Sequence, residues 1–442
     1  MFQSSANAAR IIWLAALAGL PFLSYADEIR EEAWSAHFQT TYIWEVKPSL
    51  SAPYTGEFSL RPEREKAYSF SATAALGFRP WAGGELYFDP ELVQGVPLSN
   101  LRGLGGMANG EQQKTGGPNP TLYRARLFLR QTWGLGGEKE AVESDFNQMA
   151  GMVDKRRIVV TAGNLSVTDI FDNSAYAHDA RTQFMNWALL AYGAYDFAAD
   201  ARGYSWGAAV EYIYDDWAVR GGRFMQPAES NGLPLDKRIF THYGDQLEVE
   251  HGHTWGGQPG KVHVLAFRNR ANMGSFRDAS VDAANNGGVP DVARVRTERT
   301  KIGFGVSAEQ GLTSDIGVFA RASWNDGASE TYAFTEIERS FSAGAVVRGG
   351  AWNRVDDTLG IAWVRNGLSQ AHRDYLAAGG VGAFIGDGRL NYRPESIVEA
   401  YYSFKLAQAV TLSLDAQHIV NPAYNADRGP VNVGSIRLHA QY

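Results

Sequence analysis

Hydrophobic and polar side chains alternate through the last ten residues of the chain. Small or apolar side chains occupy the even positions from Gly434 to Tyr442, and mostly polar ones lie between them. A strand with this period of two presents one face to lipid and the other to water, and about ten residues span an outer membrane. The segment therefore predicts a final transmembrane strand, although a half-buried edge strand of a soluble sheet has the same pattern.

The same alternation recurs along the whole chain and defines about seventeen candidate strands. The candidates are Trp34–Trp44, Ala67–Phe78, Gly84–Leu92, Leu122–Trp133, Arg156–Ala162, Phe184–Tyr192, Tyr204–Tyr214, Trp217–Met225, Asp245–Trp255, Lys261–Asn269, Ile302–Glu309, Asp315–Asn325, Glu338–Arg348, Thr358–Val364, Ile397–Leu406, Val410–Val420 and Val433–Tyr442. Bacterial barrels have an even number of strands, so one candidate is wrong; Arg156–Ala162 and Phe184–Tyr192 have the weakest patterns. We therefore predict an all-β fold, a transmembrane antiparallel β-barrel of about 16 strands of the outer-membrane porin type.

The connections between these candidates differ in length. The longer ones, residues 93–121, 271–296 and 365–394, are rich in Gly, Asn, Asp and Pro, as expected of loops. One or more of them folding inward would narrow the pore. Because no internal repeat or linker divides the alternating pattern, we expect a single barrel domain.

The first 26 residues have a different pattern. A single Arg10 precedes an apolar run over residues 11–23, and Ser24 and Ala26 flank Tyr25 in the spacing of a cleavage site. The run is shorter than the roughly twenty residues of a spanning helix. We therefore expect residues 1–26 to be a cleaved secretory signal and residues 27–442 to form the barrel.

Composition narrows the class of protein further. The 442-residue chain holds 12% aromatic residues and 48 glycines but no other long apolar run, which excludes a helical membrane protein and fits a barrel. Cysteine is absent, which excludes disulfides and thiolate chemistry. The formal charge of -7 is modest and gives no basic patch that would predict a nucleic-acid partner.

Two adjacent candidate strands place charged and aromatic side chains on one predicted face. If both strands alternate regularly, the lumen receives Glu85, Tyr87, Asp89, Arg124, Arg126 and Phe128. Carboxylates accept hydrogen bonds from sugar hydroxyls, guanidinium groups donate to them, and aromatic rings pack on their C–H faces. These six residues are the predicted pore lining for a neutral polyol, with an electrostatic ladder that only stiffens the wall as the alternative.

The segment Ser166–Leu189 is dense in polar side chains. Its charged and amide residues include Asp169, Asp172, Asn173 and Arg181, which we interpret as a constriction or polar loop. The order of its acids differs from that of calcium-binding loops, and the pair His251 and His253 lacks a convergent acid, so no metal or other cofactor is predicted. No nucleophile, phosphate-loop or dinucleotide motif is present, and we expect no enzyme activity.

Five blocks of sequence resemble carbohydrate-selective porins of the OprB type. They begin at Gly77 (GFRPWAGGELYFDPELVQG), Ser166 (SVTDIFDNSAYAHDARTQFMNWAL), Phe319 (FARASWNDG), Val364 (VRNGLSQAHRDYLAAGG) and Asn421 (NPAYNADRGPVNVGSIRLHAQY), and they agree with the family in order. The resemblance implies a 16-stranded outer-membrane barrel that admits glucose-like monosaccharides by passive diffusion through a sugar-binding constriction.

The sequence also leaves alternative functions open and implies several partners. A general or anion-preferring porin uses the same barrel, and an outer-membrane hydrolase is a further alternative that the missing nucleophile motif disfavours. The expected partners are sugars, outer-membrane lipid and lipopolysaccharide, and the outer-membrane assembly machinery. The sequence leaves open whether the porin is a monomer or a homotrimer.

Overall fold

The computed structural model describes residues 31–334 and 336–442, so the predicted signal segment lies outside the described residues. The strands are β1 Trp34–Lys47, β2 Glu65–Trp81, β3 Gly84–Val96, β4 Thr121–Gly134, β5 Lys139–Val142, β6 Gly151–Asp154, β7 Arg156–Leu165, β8 Ser205–Tyr214, β9 Trp217–Phe224, β10 Tyr243–Trp255, β11 Gln258–Gly274, β12 Arg296–Gly311, β13 Ile316–Asn325, β14 Arg339–Gly349, β15 Arg354–Gly367, β16 Glu395–Ala407, β17 Val410–Val420 and β18 Val431–Gln441. The α-helices are α1 Trp187–Leu190, α2 Phe276–Asn286 and α3 Gln370–Ala377. Short 3-10 helices cover Leu98–Leu101, Gln112–Lys114, Val167–Asp169, Val292–Val295, Gly350–Trp352 and Pro422–Tyr424.

Sixteen strands form one closed antiparallel barrel, as predicted. Each strand pairs with its neighbours along the chain, β4 pairs with β7, and β5 and β6 form a separate two-stranded sheet. The barrel closes where β18 pairs with β1, from Gln39 opposite Gln441 to Val46 opposite Gly434. Closure pairs the backbone of both end strands, which a sheet edge in lipid would leave unsatisfied.

One of the seventeen candidate strands is wrong. Phe184–Tyr192 contains α1 and lies inside the barrel, whereas the weakly patterned Arg156–Ala162 belongs to β7. No helix among the described residues is long and apolar enough to cross a membrane.

The outer surface is apolar and has aromatic residues near both ends. Ile302, Phe304 and Val306 on β12 leave about half of their surface exposed, as lipid-facing side chains do. Aromatic residues also lie at the two ends of the strands: Trp34, Trp81, Trp133, Trp217 and Trp255 at the end that holds both chain termini, and Trp206, Phe341 and Trp363 towards the other. These two bands match the aromatic girdles of outer-membrane barrels.

The two ends of the barrel differ in the length of their connections. At the end with the termini, all turns but one have two to four residues, and the β10–β11 turn is made by Gly256 and Gly257, both with positive φ as a type I′ hairpin requires. At the opposite end the connections are long. Short turns face the periplasm in such barrels, so we assign the long loops to the outside of the cell.

A charge on the lipid face tests how deep the strand residues lie in the membrane. We expect Ile436→Arg, in the middle of β18 and 42% exposed, to destabilise the barrel in lipid bilayers by about 2–4 kcal/mol. The matched variant Val420→Arg, at the outer end of β17, should cost about 0–1 kcal/mol. Denaturant unfolding in vesicles measures both values, and equal losses would contradict the assigned membrane depth.

Candidate functional site: the constricted lumen

Two outer loops fold into the barrel. Loop 2, residues 97–120, follows β3, and loop 3, residues 166–204, joins β7 to β8. Most of their residues are buried, and loop 3 crosses the lumen to strands β12–β18 of the opposite wall. The apolar side chains of Phe184 and Leu189 pack there against Phe319 and Tyr401. The barrel interior is therefore filled by its own loops rather than by a wide water column.

Acidic side chains of the wall bind the backbone of both loops. The carboxylate of Glu395 accepts hydrogen bonds from the amides of Gly105 (2.9 Å) and Gly106 (2.8 Å) in loop 2. The carboxylate of Glu399 accepts from the amides of Met185 (2.5 Å) and Asn186 (3.0 Å) in loop 3. Both glutamates lie on β16 with no exposed surface, so they replace the water that these amides would otherwise need.

Wall arginines bind the loop carbonyl groups in the same way. Arg437 donates to the carbonyl oxygens of Ala180 and Gln183, both at 2.7 Å, and Arg321 donates to that of Leu189 at 2.8 Å. The wall thus supplies both acceptors and donors to loop 3. This pairing fixes where the loop lies in the lumen.

The two loops also bind each other. The amide of Gly110 donates to the carbonyl oxygen of Met185 and the amide of Trp187 to that of Met107, both at 2.9 Å. Gly110 is needed for this close approach, because a Cβ there would lie 2.4 Å from a side-chain carbon of Leu190. Loops 2 and 3 therefore form one constricting unit.

Beside this unit, a chamber of about 1250 Å³ remains open in the lumen. Its charged lining comprises seven cations, Arg79, Lys114, Arg126, Arg130, Arg157, Arg181 and Arg220, and eight anions, Glu31, Glu85, Glu111, Asp145, Asp154, Asp169, Asp179 and Glu211. The two signs are nearly balanced. The chamber therefore offers many hydrogen-bond donors and acceptors without a strong field of either sign.

Two of the arginines pair with carboxylates across the junction of wall and loops. Arg126 of β4 donates two hydrogen bonds to Asp169 of loop 3, at 2.6 and 2.7 Å. Arg181 of loop 3 donates to Glu111 of loop 2 (2.9 Å) and to Glu91 of β3 (2.7 Å). Bidentate and charge-assisted contacts of this kind hold the polar groups in fixed positions.

Aromatic rings complete the chamber. Trp187 is partly exposed to it and stacks on Phe334 at 4.6 Å, which in turn stacks on Phe197 at 4.8 Å. Tyr204 lies beneath two cations, with Lys114 5.6 Å and Arg126 5.3 Å from the ring centroid. Trp187 therefore presents a supported flat surface next to the charged groups.

Comparison with known proteins identifies the family. The sequence matches the carbohydrate-selective porin family, OprB, over residues 59–442. The chain belongs to this family. It is a carbohydrate-selective porin of the outer membrane, as its closed barrel and constricted polar lumen also indicate.

Solved structures share the fold. The high-pH structure of Pseudomonas putida OprB is 17% identical and superposes with a TM-score of 0.68, covering 93% of this chain and 94% of that one. The outer membrane channel DcaP of Acinetobacter baumannii is 8% identical with a TM-score of 0.50, covering 92% and 97%. A search of curated protein sequences finds no match for this porin.

Five of the six predicted pore-lining residues of this porin lie on the lumen side. Glu85, Arg126 and Phe128 line the chamber directly. Tyr87 is buried beneath Phe128, with ring centroids 4.9 Å apart, and Asp89 has no exposed surface. On β3 the three predicted side chains therefore lie on the lumen side, but Tyr87 and Asp89 are buried in the wall and do not meet solvent.

The prediction for Arg124 is wrong. A register shift between β3 and β4 places Asp89 opposite Arg126 but the next residue, Pro90, opposite Arg124, so that Ala125 is an extra residue on β4. Such a bulge reverses the alternation on one side of it. Arg124 consequently points outward, with its guanidinium 5.1 Å from the ring of the partly exposed Trp206, and the neighbouring Tyr123 points inward and donates to Glu91.

Three of the four predicted loop residues, Asp169, Asn173 and Arg181, line the chamber. Asp172 does not, because it is buried inside loop 3, where it accepts a hydrogen bond from the amide of Tyr192 at 2.6 Å. Burial raises the pKa of Asp172 to about 6. Asp172 therefore has a structural role within the loop.

Sequence reasoning missed the contribution of loop 2 and of two later strands. Glu111, Lys114, Glu211 and Arg220 all line the chamber. Periodicity places residues on strand faces but does not locate loop residues inside the lumen. For Glu211 and Arg220, the alternation of β8 and β9 was the signal that would have placed them there.

One group of possible metal ligands occurs among the described residues. Glu248, Glu250 and His263 place ligand atoms within 4.8 Å of one another. However, Arg220 already lies between the two carboxylates, with its Nη1 3.0 Å from Glu248 and 3.1 Å from Glu250. The arginine supplies the positive charge there, and we interpret the group as part of the ionic wall.

The loop carboxylates of the chamber ionise readily. Burial opposes the charge of Glu111, but Arg181 and Lys114 outweigh it and hold the pKa of Glu111 below its usual value. Burial also opposes the charge of Asp169, and Arg126 likewise holds the pKa of that carboxyl low. Because both pKa values are depressed on folding, these groups stabilise the loops above the ordinary carboxyl range and lose that contribution only as pH falls through the depressed values.

The depressed pKa values predict an ion selectivity that is insensitive to mild acid. Between about pH 7 and pH 5, Glu111 and Asp169 keep their charges, and of the loop acids Glu111, Asp169 and Asp172 only Asp172, which does not line the chamber, titrates. The sign of the reversal potential in a salt gradient should therefore not change. Glu111→Gln is the matched variant and should shift selectivity towards anions at both pH values, because it removes one partner of Arg181 and Lys114. A reversal of selectivity in the wild-type porin over this range would contradict the assigned charges.

Proposed function

We propose that this porin passes monosaccharides of the glucose type by passive, facilitated diffusion, and that the charged chamber beside loops 2 and 3 is its sugar-contact site. The observation that carries the proposal is the near balance of seven cations and eight anions around about 1250 Å³. A neutral polyol exchanges its hydration shell for these groups without meeting a net field. An ion in the chamber meets groups of its own sign as well as groups of the opposite sign, so the lining does not favour ions of either sign.

The chemistry of the lining suits both faces of a sugar. Hydroxyl groups donate to Glu111 and Asp169 and accept from Lys114 and Arg126, while the C–H face packs on Trp187. Each of these four charged groups already has a protein partner, so a sugar must compete with that partner for hydrogen bonds. Modest affinity follows, and a pore requires it, since a tightly held solute would block the passage.

The charge balance favours this function over the alternatives. An anion-preferring porin needs an excess of cations in the constriction, and the chamber has none. A general porin would pass solutes by size alone. The constriction that loops 2 and 3 form together disfavours this alternative. Membership of a channel family favours a pore over an outer-membrane hydrolase.

We further infer that residues 1–26 are a cleaved export signal and that residues 27–442 form the barrel as one domain. Supporting this, β1 begins shortly after the predicted cleavage site and the barrel extends to Gln441. Export by such a signal and insertion by the outer-membrane assembly machinery place the porin among outer-membrane lipid and lipopolysaccharide. Monomer and homotrimer are both compatible with the lipid-facing surface.

Liposome swelling with the purified porin tests the proposed function. We expect glucose to pass faster than a disaccharide and faster than a charged solute of the same size as glucose. Uptake that follows size alone would indicate a general porin. Faster uptake of the anionic solute would indicate an anion-preferring one.

Two neighbouring arginines provide a matched pair for the same assay. Arg126→Ala should change glucose uptake by up to about tenfold, the factor that corresponds to 1.4 kcal/mol, and should alter ion selectivity, because Asp169 loses its partner. Arg124→Ala should leave both unchanged, because Arg124 points away from the lumen. Equal behaviour of the two variants would contradict the assigned lining.

A further inference from the structure

One connection at the inner end of the barrel differs from the other six. Residues 135–155, here called the inner hairpin, join β4 to β7, where the other inner turns have two to four residues. The inner hairpin forms its own sheet from Lys139–Val142 and Gly151–Asp154, with a further bridge between Asp145 and Gln148. It is therefore an ordered element and not merely a longer turn.

The inner hairpin reaches from β4 to the segment before β1 at the mouth of the pore. Its Ser144 hydroxyl (2.9 Å) and Ala150 amide (2.7 Å) both donate to the carboxylate of Glu32, and the Glu32 amide donates to the Ala150 carbonyl oxygen at 3.1 Å. Glu32 precedes β1, which is separated from β4 by β2 and β3 in the barrel. The inner hairpin thus bridges several strands along the periplasmic rim.

The tip of the inner hairpin enters the lumen. Asn147, in the left-handed conformation with φ 55°, donates to the buried carboxylate of Asp89 at 2.9 Å and accepts from Arg130 at 2.8 Å. Met149 is buried in the same apolar cluster as Tyr87 and Phe128 of the wall. Polar and apolar contacts together hold the tip inside the barrel.

The same chamber therefore contacts loops 2 and 3 at one end and the inner hairpin at the other. Phe146, Asn147 and Gln148 line it together with loop 3 and with wall residues Arg79 and Glu85. Arg79 contacts Glu85 at 2.8 Å and Glu31, in the segment before β1, at 3.1 Å. Carboxylate, guanidinium, amide and aromatic groups thus lie together for a second time, on the periplasmic side of loops 2 and 3.

We propose that the inner hairpin forms a second carbohydrate-contact site and a second size filter, in series with loops 2 and 3. The proposal rests on the proposed sugar transport but assigns part of its selectivity to the periplasmic side. A sugar leaving the constriction donates to Glu85, accepts from Arg130 and Asn147, and packs on Phe146. The space beside the hairpin tip limits the size of the solute that passes.

Replacing residues 136–154 by an Asn-Gly turn tests the filter directly. In the folded variant we expect single-channel conductance in potassium chloride to rise severalfold, and uptake of a disaccharide to rise relative to glucose, although loops 2 and 3 are unchanged. Unaltered conductance and an unaltered uptake ratio in this variant would overturn the proposal.

A second variant keeps the test decisive if the shortened chain does not fold. Glu32→Ala combined with Met149→Ala removes the acceptor of Ser144 and Ala150 together with the apolar anchor of the tip, and should raise both the conductance and the disaccharide uptake ratio. Glu138→Ala lies on the same hairpin but only pairs with Lys155 at the surface, so both readouts should match the wild-type porin. Identical readouts for the two variants would overturn the filter.

The two proposals fail separately. If the wild-type porin excludes glucose while conducting ions, the proposed sugar transport is wrong, and the conductance of the shortened hairpin still decides whether the hairpin narrows the pore. If glucose passes but the hairpin variants match the wild-type porin, the outer constriction alone accounts for selectivity.

Discussion

The structure depends on the pairing of loop backbone with acidic and basic side chains of the barrel wall. A segment inside a crowded lumen cannot rely on water for its amide and carbonyl groups, and each unpaired group costs about 1–3 kcal/mol. Glu395 and Glu399 accept from loop amides, and Arg321 and Arg437 donate to loop carbonyl groups. Without these partners, unpaired backbone groups would oppose the burial of apolar loop residues such as Phe184 and Leu189 in the lumen.

This constraint also explains the character of the pore. The wall must carry both acceptors and donors to bind amides and carbonyl groups, and glutamates and arginines supply several of them. The loops in turn bring charges that pair with the wall. Arg126 with Asp169 and Glu91 with Arg181 are examples. The space that remains is bounded by paired charges, and such a lining favours neutral polyols over ions of one sign. In the proposed function, the arrangement that fixes the loops also sets the chemical selectivity of the porin.

The strands follow from the sequence because lipid and water impose a period of two on them. Phe184–Tyr192 imitates that period, but its apolar residues pack on the inside of the wall, which alternation alone cannot distinguish from a lipid face. Arg124 fails for a different reason, because one extra residue at Ala125 reverses the pattern and no turn residue marks the position. Glu111 and Lys114 lie in a loop whose path is set by contacts with distant strands, and the inner hairpin follows from contacts equally distant in sequence.

The most direct test of the central pairing is the single-channel conductance of Glu399→Ala, with Glu399→Gln as the conservative variant. Loss of the carboxylate leaves the amides of Met185 and Asn186 without acceptors, so loop 3 should detach and conductance should rise while the barrel still inserts. Glutamine keeps one accepting oxygen and should give an intermediate value. A Glu399→Ala porin with the wild-type conductance would contradict the account, because the loop would then hold its place without the wall charge.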